Sequence, residues 1–143
     1  MTIDHLSFLS RRAAEAATPR DDIAVISITD PRTVQPRLDG WHSVLRVEFH
    51  DINPEKIASP FIRAEVVSHY TLMSTDQARE IVAFVQAIQS NGVSGIMVHC
   101  EQGVSRSAAV ARWIADRHGL RLSDEATAAH NRYVYRMLEE AVG

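Results

Sequence analysis

The sequence predicts an α/β domain built on a small, mainly parallel sheet flanked by helices. Short apolar segments rich in β-branched residues alternate along the chain with segments whose apolar residues recur at helical spacing. Strands that alternate with helices pair in parallel, because each helix carries the chain back to the start of the sheet in a right-handed crossover. The length of 143 residues fits one domain, so we expect residues 1–143 to fold as a single unit.

Three segments are predicted as strands. Residues 23–28 form an apolar, mostly β-branched run that Asp22 and Asp30-Pro31 bound on either side. Residues 44–49 alternate between apolar and polar side chains, and residues 95–99 form a short apolar run. The alternation of these segments with helices favours a mainly parallel sheet.

The helices are predicted from capping residues and apolar spacing. Ser74, with Gln77 three positions later, forms a capping box before a helix that Asn91-Gly92 ends. The other predicted helices lie at residues 6–17, at 107–117 before Gly119, and from Ser123 or Asp124 to about residue 140. Residues 53–73, which two prolines interrupt, are expected to hold a short helix and a mobile loop.

Composition excludes several classes of partner. The net charge of −3 gives no reason to expect a nucleic-acid partner, and no run of eighteen apolar residues predicts a membrane span. Residues 1–9 do not resemble a secretory signal, and the single cysteine, Cys100, permits no intramolecular disulfide, which is compatible with a cytoplasmic location. The scattered histidines show no metal-ligand spacing, so we expect neither metal nor cofactor. The oligomeric state is not predicted.

The segment with the clearest chemistry is Val98-His99-Cys100-Glu101-Gln102-Gly103-Val104-Ser105-Arg106-Ser107. It connects a predicted strand to a predicted helix, where backbone N–H groups and the helix dipole favour a bound anion. Gly103 allows a tight bend, and the planar fork of Arg106 can hold two phosphate oxygens. The same positive field favours the thiolate form of Cys100, which is the nucleophilic form.

This segment resembles the HC-x5-R-[ST] signature loop of the protein tyrosine phosphatase superfamily, in the form found in its compact, dual-specificity-like branch. The resemblance extends over about residues 23–138 and implies a phosphatase-like three-layer domain that lacks the first strands of larger members. It implies hydrolysis of phosphomonoesters, of the phosphotyrosine or dual-specificity type, through a phosphocysteine intermediate. Cys100 would be the nucleophile, Arg106 the phosphoryl clamp, and Ser107 a hydrogen-bond donor to the sulfur. His99 would brace the loop, and the substrate cradle would consist of backbone amides from Glu101, Gln102, Gly103, Val104, Ser105 and Arg106.

Members of this superfamily also use an aspartic acid on a separate loop as general acid. Asp51 is the preferred candidate, because it ends the predicted strand before the variable loop. It lies 49 residues before Cys100, a longer gap than the family usually has. Asp30 is its main rival, and a site with no aspartic acid donor is the third possibility. Asn131, Arg132 and Tyr133 are further candidates to face the site.

Two other functions remain open beside an active phosphatase. One is a phosphate-binding pseudophosphatase, and the other is a sulfurtransferase of the rhodanese type, which also holds a cysteine in a cradle loop. The expected partner is a phosphorylated protein or a small phosphoester. Glu101 and Gln102, with no lysine in the loop, make an inositide substrate less suitable.

Overall fold

A computed structural model describes residues 3–142 of the chain and shows one sheet with helices on both faces. The strands are β1 (His5–Ser10), β2 (Ile23–Thr29), β3 (Ser43–Glu48) and β4 (Gly95–Cys100). The helices are α1 (Arg11–Ala16), α2 (Pro60–His69), α3 (Thr75–Ile88), α4 (Arg106–His118) and α5 (Arg132–Val142), with one 3-10 turn at Pro54–Lys56. The three predicted strands and the α/β fold class are confirmed.

The sheet has the strand order β1-β4-β2-β3, and all its neighbouring strands pair in parallel. Successive residues of β2 point to opposite faces, as in any strand. Ile26 and Ile28 join the main core with α3, α4 and α5, whereas Val25 packs in a second core with Ala14 of α1. Because the strands are parallel, the carboxyl ends of β2, β3 and β4 share one edge, and the residues that follow them meet there.

The first strand corrects the prediction of a helix at residues 6–17. Residues 5–10 form the edge strand β1, and only Arg11–Ala16 is helical. Leu6 and Phe8 lie on either side of Ser7 and pack against the main core. Apolar side chains at every second position are typical of a strand, and this spacing was the correct signal here. Pairing with β4 outweighs the helical preference of the alanines that follow.

The last helix begins later than predicted. Ser123 accepts a hydrogen bond from the backbone N–H of Ala126, but it caps only a turn in the segment before α5. The helix starts at Arg132, because the side chain of Asn131 accepts hydrogen bonds from the N–H groups of Tyr133 and Val134. This cap places Asn131 beside the carboxyl edge of the sheet, where it matters for the site.

The other two long helices confirm their predictions. Ser74 and Gln77 form the reciprocal capping box at the start of α3, where loss of such a cap costs about 1 kcal/mol. The helix α4 begins at Arg106 and ends at Gly119, which adopts the left-handed conformation with φ of 66°.

Residues 51–70 form a long connection whose two flanking residues, His50 and Thr71, are hydrogen-bonded to each other. The N–H of His50 donates to the carbonyl of Thr71 over 2.7 Å, and the N–H of Thr71 donates to Nδ1 of His50 over 2.9 Å. This connection contains α2, in which no residue is buried and Phe61 and Ile62 are exposed. The predicted short helix is therefore present. Within residues 3–142 no helix is long and apolar enough to cross a membrane.

Candidate active site

Cys100 is the last residue of β4, and the residue is only 2% exposed. Two polar groups face its sulfur. Oγ of Ser107 lies 3.1 Å from Sγ, and the backbone N–H of Gly103 donates to Sγ over 3.3 Å. The Gly103 N–H thus donates to the sulfur, and the Ser107 hydroxyl lies at hydrogen-bond distance from it.

The bend of the loop depends on Gly103. Its φ of 73° lies in the left-handed region, which residues with a Cβ rarely adopt. A Cβ there would lie 2.4 Å from the backbone nitrogen of Ser10 and 2.6 Å from the carbonyl carbon of Leu9. The N–H of Arg11 also donates to the carbonyl of Glu101 over 3.1 Å. The junction between β1 and α1 therefore packs against the loop and stabilises its conformation.

His99 is fully buried next to the nucleophile. Its Nε2 lies 2.6 Å from Oγ of Ser27 on β2, and its Nδ1 lies 3.3 Å from the carbonyl of Cys100. Burial lowers the pKa of His99, because the charged imidazolium loses its hydration, and the ring is neutral near pH 7. These partners assign the proton to Nδ1, which donates to the carbonyl, while Nε2 accepts from the Ser27 hydroxyl.

Arg106, the first residue of α4, is 5% exposed and held by the ends of two strands. Its Nη1 donates to Oδ1 of Asp30 over 2.7 Å and to the carbonyl of Phe49 over 2.7 Å. Asp30 follows β2 and Phe49 follows β3, so the parallel topology brings both acceptors to the guanidinium. Asp30 is thus engaged by Arg106 in this structure.

Asp51 lies in the segment after β3 and is exposed. Its Oδ1 accepts hydrogen bonds from Oγ of Ser105 over 2.8 Å and from Nδ2 of Asn131 over 2.9 Å. Asn131 is 5% exposed, and its Nδ2 also donates to the carbonyl of Ile52 over 3.1 Å. The amide of Asn131 therefore ties the segment after β3 to the start of α5.

The structure brings most of the sequence-predicted residues together. Cys100, Arg106 and Ser107 share one loop and helix start, and Asp51 contacts that loop through Ser105. Of the three further candidates, Asn131 contacts Asp51, whereas Tyr133 donates its hydroxyl to the carbonyl of Met73. Within residues 3–142 no hydrogen bond or ion pair joins the Arg132 side chain to the loop.

Sequence reasoning missed Ser27, the Phe49 carbonyl and the contact of Leu9 and Ser10 with the loop. Ser27 had a signal, since it is a lone polar residue within the apolar run of β2. A backbone carbonyl or a chain junction gives no signal in residue types. In residues 3–142 no three His, Cys, Asp or Glu side chains lie close enough together to hold a metal ion.

Three solved structures are similar to this chain over nearly its whole length. A mouse protein described as a dual specificity phosphatase, complexed with zinc tungstate, has a TM-score of 0.56 and 23% identity and covers 94% of this chain and 79% of its own. Tk-PTP in its active form has a TM-score of 0.53 and 20% identity, with 96% and 90% covered. Human DUSP28 has a TM-score of 0.51 and 24% identity, with 94% and 90% covered. No family model and no curated protein matches the sequence. At these identities the likeness concerns the fold.

Proposed function

We propose that this chain, whose fold is that of the compact, dual-specificity-like branch of the protein tyrosine phosphatase superfamily, hydrolyses phosphomonoesters with Cys100 as nucleophile. The proposal rests on one observation above all. The sulfur of Cys100 lies at the base of a loop where the Gly103 N–H and the Ser107 hydroxyl both face it. An anionic sulfur in an anion-binding loop is suited to attack a phosphoryl group.

The first chemical step forms the phosphocysteine. The Cys100 thiolate attacks phosphorus, and the bond from phosphorus to the ester oxygen breaks. Arg106 and the amides of residues 101–106 hold the other three oxygens, where the transferred negative charge spreads. Asp51, as general acid, gives its proton to the leaving oxygen, so that an alcohol or phenol departs.

The second step returns the free enzyme. Water attacks the phosphocysteine and gives a proton to the Asp51 carboxylate, so that the acid is restored. The bond from sulfur to phosphorus breaks, and its electron pair remains on Cys100. Ser107 donates its hydroxyl hydrogen bond to that sulfur at 3.1 Å, which lowers the cost of its departure. Inorganic phosphate is the second product.

The substrate class we favour is a phosphorylated protein, of the phosphotyrosine or dual-specificity type, or a small phosphoester. Glu101 and Gln102 are exposed on the loop, and neither adds the positive charge that a polyphosphorylated substrate requires. We expect the chain to act as a single cytoplasmic domain, without nucleic acid, membrane or metal as partner.

The test is turnover of an aryl phosphate such as para-nitrophenyl phosphate. We expect the wild type to release phosphate with EDTA present, and Cys100→Ser to lose at least about a thousandfold in kcat, as removal of a nucleophile does in other covalent enzymes. Rapid acid quenching should trap a phosphoryl adduct at Cys100 that mass spectrometry detects. Activity in Cys100→Ser within tenfold of wild type contradicts the proposal.

One observation favours a second candidate, a phosphate-binding module without turnover. Oδ1 of Asp51 accepts hydrogen bonds from Ser105 and Asn131, which is compatible with a carboxylate that only holds the loop and gives no proton to a leaving group. Binding of inorganic phosphate without turnover of any aryl phosphate identifies this module. A parallel assay with thiosulfate and cyanide tests the sulfurtransferase alternative, for which we expect no thiocyanate.

A further inference from the structure

We propose that Asp30 is a positioning residue for Arg106, which fixes the guanidinium so that its Nε and Nη2 edge faces the substrate phosphoryl group. This inference rests on the proposed function and assigns a role within the same site. It also separates the two aspartates that the sequence left as rivals, since Asp30 then orients the clamp and Asp51 supplies the proton.

The contacts of Nη1 carry the inference. This nitrogen has two N–H groups, and two acceptors lie at hydrogen-bond distance, Oδ1 of Asp30 at 2.7 Å and the carbonyl of Phe49 at 2.7 Å. Each acceptor takes one hydrogen, so Nη1 has none left for a ligand. The two acceptors come from neighbouring strands, and together they fix both the position and the rotation of the planar group.

The remaining donors of Arg106 are free to bind a ligand. In residues 3–142 no hydrogen bond engages its Nε or Nη2, and no fully buried side-chain nitrogen or oxygen lacks a partner. Both nitrogens therefore reach solvent, although the residue as a whole is 5% exposed. The Nε–H and one Nη2–H point in the same direction, at the spacing of two phosphate oxygens.

Asp30 is itself held in place by a tight turn. The hydroxyl of Thr33 donates to the carbonyl of Asp30 over 2.8 Å, and Pro31 fixes the second position of the turn. Arg32 has a φ of 63°, a conformation that residues with a Cβ adopt only at a cost. The turn thus limits the movement of the Asp30 backbone, and the carboxylate contacts the guanidinium from this fixed position.

The experiment compares Asp30→Ala and Asp30→Asn with a control from the same connection between β2 and β3. Asp39→Ala is that control, because the Asp39 side chain is 85% exposed and forms an ion pair with the exposed Arg37 at 3.6 Å. With para-nitrophenyl phosphate we expect Asp30→Ala to lower kcat/KM about thirtyfold, within the hundredfold that a small misplacement of a catalytic group can cost. Asp30→Asn should fall between it and wild type, since its amide oxygen still accepts a hydrogen bond, and Asp39→Ala should match wild type.

A binding measurement with an anion that is not hydrolysed tests the orientation of Arg106 separately from catalysis. By isothermal titration with tungstate we expect Asp30→Ala to raise the dissociation constant about tenfold, because the fork is no longer oriented. If Asp30 acted only by repelling the anion, its removal would instead lower the dissociation constant for tungstate. Tighter tungstate binding by Asp30→Ala with undiminished turnover therefore overturns the inference. If circular dichroism shows that Asp30→Ala is unfolded, the tungstate affinity and turnover of Asp30→Asn are compared with those of wild type instead.

A double-mutant cycle with Arg106→Lys tests whether Asp30 acts through the guanidinium. Lysine has no fork to orient, so the effect of Asp30→Ala on tungstate binding should shrink to less than about threefold in that background. An unchanged tenfold effect overturns the inference. The basic limb of the pH profile should persist in Asp30→Ala, and its loss would instead assign the proton donor to Asp30.

The failures of the two proposals are distinguishable. A wild-type chain that neither turns over aryl phosphate nor binds tungstate overturns both the function and the role of Asp30. An active wild type whose Asp30 variants match Asp39→Ala in turnover and in tungstate affinity overturns only the role of Asp30.

Discussion

The hydroxyl of Ser105 donates a 2.8 Å hydrogen bond to Oδ1 of Asp51, which joins the cradle loop to the segment that follows β3. Asn131 donates to the same oxygen over 2.9 Å. In the part of the chain that the structure describes, no hydrogen bond engages Oδ2 of Asp51. Since two donors occupy Oδ1, Oδ2 is the oxygen left to face a leaving group in the mechanism that we propose.

The first prediction concerns the proton donor. We expect Asp51→Asn to lower kcat about a hundredfold and to remove the basic limb of the pH profile, because an amide cannot donate the proton. The loss should be greater for phenyl phosphate than for para-nitrophenyl phosphate, whose leaving group needs less protonation. Asp76→Asn, at the exposed start of α3, is the matched control. If Asp30→Asn gives this phenotype and Asp51→Asn does not, the assignment is wrong.

The second prediction separates the two roles of Asn131. Asn131→Ala removes the cap of α5, which costs about 1 kcal/mol of unfolding free energy, and also frees Asp51. Asn131→Asp keeps an oxygen for the cap but loses the donor to Asp51 and adds a like charge. We therefore expect kcat to fall about tenfold in both variants, so that the loss in Asn131→Asp is assigned to the missing donor and not to the cap. Urea unfolding should show a lower stability for both variants, because Asn131→Asp places a carboxylate against Asp51 and the Ile52 carbonyl. Wild-type kcat in Asn131→Asp contradicts the positioning role.

The third prediction concerns the bend of the loop. Gly103→Ala places a Cβ against the backbone of Leu9 and Ser10, in addition to the cost of about 1–2 kcal/mol for a left-handed alanine. Gly92→Ala is the control, since Gly92 has a φ of 76° but no atom lies within 4 Å of the position that its Cβ would take. Activity toward aryl phosphate should be lost in Gly103→Ala and retained in Gly92→Ala. Equal stability and activity of the two variants would rule out the backbone contact.

The fourth prediction concerns acid stability. Because burial holds the pKa of His99 below its ordinary value of 6.5, the unfolded chain takes up a proton before the folded chain does. The contribution is fully present above pH 6.5, and stability falls as the pH decreases from there through the folded pKa. His99→Gln should flatten this dependence in urea unfolding at different pH values. A smaller slope should remain, because burial also lowers the pKa of His118. An unchanged slope would contradict the prediction.

Much of the fold was predictable because its signals are local. The apolar runs of β2 and β4, the Ser74 capping box and the Gly119 stop each depend on neighbours within a few positions, and all are confirmed. The edge strand β1 was misread as helix because its partner, β4, lies about ninety positions away in the chain. The late start of α5 was missed because Ser123 and Asn131 are both residue types that cap helices. Which of them caps α5 depends on tertiary packing, which the local sequence does not show.

The sequence by itself determined the segment between β4 and α4 that we propose as the anion-binding loop. The offsets among Cys100, Gly103 and Ser107 are short, so the chain between them brings the Gly103 N–H and the Ser107 hydroxyl to one sulfur once a strand precedes and a helix follows. Only the tertiary structure decided what Asp30 and Asp51 contact. The partner of Asp30 is 76 positions away and the amide that holds Asp51 is 80 positions away. Such contacts arise from the parallel order of β2, β3 and β4, which gathers the ends of the strands at one edge and lets packing select the partner of each carboxylate.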